Sequence, residues 1–200
     1  MDRREAITVL AVASLATALG IKPAAAERAV RLAQHARAAG AAGAAFETKF
    51  FTAHEWETAR ALVDLIIPRD ERSGSATDAG VPEFMDFVLA DGSEEGRIAI
   101  RGGLAWLDTA CRRRFGKAFV ACADPERSAV LDDIAWPERA RPELSHGVAF
   151  FNRFRDLTAS GFWSSKIGVE DLQYQGNTFV TEWRGCPEGA LKKLGVSYGD

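Results

Sequence analysis

The chain has 200 residues, a formal net charge of −3 and an isoelectric point near 5.7, which leaves no basic face for a nucleic acid or an anionic membrane and argues against both as direct partners. That length holds one domain with enough chain to bury a real core, and a second full domain is not expected. Five Trp and twelve Phe stand against two Tyr and two Met, a surplus of large apolar rings over what core filling alone requires.

The N-terminus reads as an address. Arg3 and Arg4 precede a weakly apolar stretch of fifteen residues, Ala6 to Gly20, and a small-residue exit follows at Pro23-Ala24-Ala25-Ala26. A charged start, a short apolar middle and a small exit make an export signal, and the middle falls short of the ~20 residues of a membrane span. No acidic residue lies between Ala6 and Ala26, and the arginine pair points to the twin-arginine route, which delivers folded cargo to the bacterial periplasm. The pair lacks the preceding Ser or Thr and the Phe two residues on that strengthen this motif; the alternative is an ordinary amphipathic helix. Residues 1–26 are assigned to the signal. Residues 27–50 follow as a tether or marginal helix, rich in Ala and Arg and outside the core, and residues 51–200 as a helical domain.

The first firm helix starts at Thr52-Ala53-His54-Glu55, a capping box, and runs to about Ile67 with Trp56, Ala59, Val63 and Ile66 on one face before Pro68 ends it. Pro68 to Pro82 is loop by composition. Pro82 opens a short second helix carrying Phe84, Phe87 and Val88, and Ser93 caps a longer third from about Glu94 to Phe115, stopped by Gly116. Gly102-Gly103 weakens that helix by about 1 kcal/mol per glycine unless something packs closely there. Asp124-Pro125 caps a fourth helix with Val130, Leu131 and Ile134 inward, Ser145 opens "SHGVAFFNRFRDLTASGFW", and a short helix closes from Pro187 to Leu194. Five or six helices, no alternating strand pattern and a long irregular segment from Ser164 to Pro187 predict an all-α single domain.

Catalytic motifs are missing: there is no Gly-x-Gly-x-x-Gly, no Gly-x-Ser-x-Gly and no His-Glu-x-x-His. His35, His54 and His146 are scattered, and the loop acids Asp70, Glu71 and Asp78 lack calcium-loop spacing. The candidates are therefore contact residues. Phe150, Phe151, Phe154, Trp163, Tyr174 and Trp183 are expected to serve core and partner interface jointly, the Phe-rich stretch being first of all a central core helix. Cys111 and Cys122 are a candidate disulfide closing a short loop, with a loop-entropy value of roughly 2 to 3 kcal/mol. Cys186 is left over, buried or paired with another chain.

Several stretches in this order resemble one family: Ile66-Ile67-Pro68-Arg69-Asp70, Ala79-Gly80-Val81-Pro82-Glu83-Phe84, "GVAFFNRFRDLTASGFW", Tyr174-Gln175-Gly176-Asn177 and Trp183-Arg184-Gly185-Cys186-Pro187. From about Phe51 to Val196 the chain is similar to the gluconate 2-dehydrogenase subunit 3 family. The resemblance implies a non-catalytic small subunit of a periplasmic dehydrogenase of the glucose-methanol-choline type. The large subunit would hold FAD, pass electrons to the haem of a cytochrome c, and leave the cell interior on the small subunit's signal at Arg3 and Arg4. It also makes Cys186 a candidate inter-subunit thiol. No cofactor or metal is then expected in this chain, and a membrane is met only through the leader or the complex. The alternative is a stand-alone periplasmic helical enzyme or ligand-binding protein using His146, Asp70 or the cysteine pair.

Overall fold

A computed structural model of the chain describes residues 23–41, 45–173, 182 and 185–198. Among them the regular elements are all helical: α1 (Pro23–Ala41), α2 (Ala53–Ile66), α3 (Val81–Ala90), α4 (Glu94–Phe115), α5 (Asp124–Ala135), α6 (Ser145–Trp163), α7 (Lys166–Asp171) and α8 (Glu188–Leu194), with single 3₁₀ turns at Phe119–Ala121 and Pro142–Leu144. The all-α expectation holds.

Boundary chemistry sets most of these ends. The Thr52 hydroxyl accepts from Glu55 N at 3.3 Å while the Glu55 carboxylate accepts from Thr52 N at 2.8 Å, so two amides at the start of α2 are satisfied reciprocally. Ser93 accepts from Gly96 N at 3.2 Å, and Gly116 closes α4 in the left-handed region at φ 76°. At α5 the expected cap moves by one residue. Ala123 is the N-cap, and its N–H is held by the Glu126 carboxylate at 2.8 Å, whereas Asp124 is already helical and pairs with Arg127.

The largest departure from the sequence reading is α1. Residues 27–50 were expected as a tether or marginal helix outside the core. Instead one helix runs across the expected boundary at Ala26 and docks along α3, burying Ala26, Ala29, Val30 and Ala33. These four recur at steps of three and four and form one stripe. The stripe is nearly flat, so it admits the bulky α3 side chains at close range. The area comes from α3, not from α1, and for that reason a search for large apolar residues passes over α1.

The central helix is α6, which packs on α2, α3, α4, α5 and α7. Its crossing with α4 depends on Gly103: a Cβ there would fall 1.8 Å from the Phe150 ring, so the ring lies directly on the α4 backbone. At the other end Gly161 offers the same seat to Phe84, 2.7 Å from where its Cβ would stand. Gly102 has nothing within 4 Å, so only one of the two adjacent glycines is needed for packing. Phe154, fully buried between these contacts, contributes about 2 to 3 kcal/mol by burial alone.

Asp86 fastens the entry to the core. It is fully buried on α3, and its two oxygens accept from the backbone N–H groups of Lys49, Phe50 and Phe51 at 2.7, 2.9 and 3.0 Å. Three donors spread over one carboxylate meet the requirement that a buried charge be paired or hydrogen-bonded. The 68–80 connection is built the same way at smaller scale: Asp70 accepts from Arg72 N and Ser73 N, Asp78 from Ser75 N, and Asp64 from Thr77 N.

Candidate functional site

The expected contact residues divide sharply by position. Phe150, Phe151 and Phe154 are buried within this chain, facing α4 and the rest of the core, and are removed from the candidate partner surface. For Phe150 the physical reason is the glycine seat on α4, which lets its ring lie on that helix's backbone. Trp163, at the last residue of α6, stays 36% exposed, with its ring edge-on to buried Phe162 at 4.9 Å. Tyr174, Trp183, Arg3 and Arg4 lie outside the described residues.

Large apolar groups that the sequence reading did not single out take their place. Trp136, just past α5, is 58% exposed and has the Arg139 guanidinium 5.9 Å from its ring. Leu172 follows α7 and is also exposed, and the turn beside it is tied to the 68–80 loop by Arg72, which donates to the Asp171 carbonyl at 2.7 Å. At the C-terminus Leu194 and Tyr198 are 72% and 60% exposed, and α8 buries no residue. That short helix nevertheless has a defined end: Tyr198 folds back so that its Oη accepts from Cys186 N at 2.5 Å. Trp and Tyr with a charged neighbour are the side chains that anchor protein interfaces.

The cysteines fall into two environments. Cys186 is an exposed thiol, whereas Cys111 and Cys122 are buried thiols beside one another under the 119–121 turn. Burial, then the adjoining Cys122 thiol, push the Cys111 thiol up to about 12. A sulfur held so firmly in its protonated form is a poor nucleophile, and the candidate disulfide is represented here by two free thiols in contact.

The residues proposed for a stand-alone site are each engaged or isolated. Both backbone contacts of Asp70 are within its own turn, and its carboxyl is held below the usual range by the Ser73 and Arg72 N–H groups. His146 is exposed on the first turn of α6, away from the buried cysteines. A different histidine has a partner: His54 Nε2 donates to Asp108 Oδ2 at 2.5 Å, Arg112 donates to the same oxygen at 3.1 Å, and Phe119 N donates to Oδ1 at 3.0 Å. Asp108 thus gathers α2, α4 and the 119–121 turn on one nearly buried carboxylate. No local motif announces a pair 54 residues apart. Beside it, an open depression of about 280 Å³ is lined by Glu57, Arg60, Ala61, Asp64, Val120 and Arg127. Arg127 is spent on the carbonyls of Phe119 and Val120 and on Asp124. Among the described residues no three His, Cys, Asp or Glu side chains gather as a metal site, and no helix is long and apolar enough to cross a membrane.

The family model for gluconate 2-dehydrogenase subunit 3 matches residues 53–181. The chain belongs to this family. No curated protein and no solved structure matches it. The stretch matched to the gluconate 2-dehydrogenase subunit 3 family runs from the start of α2 past α7, the span in which Asp108, the α4–α6 crossing, Trp136 and Trp163 of this chain lie. Both α1 and α8 fall outside it.

Proposed function

We propose that the chain is the non-catalytic small subunit of a flavin-dependent sugar or sugar-acid dehydrogenase of the glucose-methanol-choline type, which it binds, stabilises and carries to the periplasm through the twin-arginine route. The observation that carries this reading is the family match over residues 53–181, whose name denotes a dehydrogenase subunit. In this reading FAD belongs to the large subunit and haem to a cytochrome c acceptor, and Arg3 and Arg4 supply the export signal for both chains. The exposed Trp136, Trp163 and Tyr198 side chains support a protein partner, since rings of this size left in water are the usual anchors of an interface. The exposure of the Cys186 thiol supports a cross-link to a second chain.

The test is recovery of the tagged chain from native periplasm together with an absorption spectrum of what accompanies it. A larger protein carrying flavin bands, with or without haem, is the expected result; a lone chain without flavin overturns the proposal. Replacing Arg3 and Arg4 together by lysine is expected to leave both subunits in the cytoplasm, read by fractionation and dehydrogenase activity.

A further inference from the structure

The small-residue exit of the leader and the start of α1 are the same residues. Leader peptidases read small side chains one and three positions before the cut, here Ala26 and Ala24. Cleavage also requires the local chain to be accessible and unwound, which is why it concentrates in exposed, loosely held segments. Ala24 is exposed, but neither condition is met at Ala26, beside the cut. Residues 24–26 are helical, and Ala26 is only 2% exposed in the stripe that faces α3. Just past the cut the helix is tied down. Glu27 pairs with Arg31 at 2.6 Å, Arg28 reaches across to Asp91 at the end of α3, and Ala29, Val30 and Ala33 continue the same buried stripe.

We propose that folding of α1 onto α3 closes the processing site, so that the leader stays on the chain after export. This rests on the reading of residues 1–26 as an export signal. On the twin-arginine route the domain is folded before it crosses, so the site is already shut when it meets the peptidase. The mature subunit then keeps the apolar stretch Ala6 to Gly20, and the dehydrogenase that it accompanies is held at a lipid surface.

Three substrates given to a purified leader peptidase in detergent test this: a synthetic peptide of residues 1–30, the full-length folded chain, and a full-length Ala29→Glu, Ala33→Glu variant whose α1 cannot dock. Intact mass and N-terminal sequencing report the cut. The peptide is expected to be cut after Ala26. The folded chain is expected to keep its 21.7 kDa mass, and the variant to be cut at least about tenfold faster than the folded chain, because local opening no longer limits access. Circular dichroism of the variant shows whether α2 to α6 remain folded. Should the folded chain be cut as fast as the peptide, or the undocked variant resist as well as the parent, closure by the fold is overturned while the export reading stands. Resistance of the peptide itself also overturns closure by the fold, because residues 24–26 are then not a processing site at all, and the export reading is decided separately by fractionation of the Arg3, Arg4 variant.

Discussion

The α4–α6 crossing and the C-terminal turn around α8 are both rich in apolar side chains for their length, yet one is the driest part of the molecule and the other is in water. What separates them is the opposing element. Phe150 meets a helix that has given up a side chain at Gly103 to receive it, and Phe154 packs behind that ring, whereas Leu194 and Tyr198 stay exposed among the described residues. Ring content alone therefore does not distinguish interior from interface. The presence of a complementary flat site on a neighbouring helix does.

Breaking the interior side has the largest expected effect. Phe154→Ala leaves a cavity at the centre of the bundle and is expected to cost about 3 to 5 kcal/mol, measured as a shift of the urea midpoint. Gly103→Ala is expected next: its methyl has no room beside Phe150, and overpacking of this kind costs about 3 kcal/mol. Gly102→Ala, one residue away with open space, is expected to stabilise by up to about 1 kcal/mol. Equal effects at the two glycines in thermal unfolding would show that Phe150 does not sit on the α4 backbone.

The exposed side calls for the opposite pattern. Leu194→Ser combined with Tyr198→Ser is expected to change the stability of the isolated chain by no more than about 0.5 kcal/mol while weakening recovery of the dehydrogenase. Loss of stability without loss of recovery would place α8 on this chain's own core. Thiol chemistry gives the finest distinction. In the native protein an alkylating reagent is expected to label Cys186 alone, with Cys111 and Cys122 labelled only after denaturant, as counted by mass. The Cys111 thiol has a folded value raised to about 12 from an ordinary 9.0, so the unfolded chain loses its proton first. The corresponding stability is intact below pH 9.0 and falls as pH rises toward 12. A Cys111→Ala variant is expected to show a shallower alkaline decline in urea midpoint.

Much of the fold was legible because helix ends are written locally. Thr52 with Glu55, Ser93, Gly116 and Pro68 each act on backbone groups within four residues, and each ends or starts a helix where the chain pattern says. α1 was not legible, because alanines report no bulk of their own and their value depends on the large side chains of α3. The Phe-rich stretch already reads as a core helix in sequence; which aromatics stay exposed was hidden, because Phe150 is closed off by Gly103 on a different helix. The His54–Asp108 pair and the Asp86 fastening were invisible for another reason, since these partners stand 54 residues apart in one case and 35 to 37 in the other, beyond any local motif.

Under the proposed export route, in which the chain is drawn across a membrane by its leading end, the Asp86 carboxylate takes on a mechanical meaning. Traction on that end runs through α1 and then arrives at Lys49, Phe50 and Phe51, whose three amides hang on one anchored side chain. Because the three bonds share the load in parallel, this junction is expected to yield later than a single bond would. On that proposal the fastening sits between the tow line and the body of the passenger.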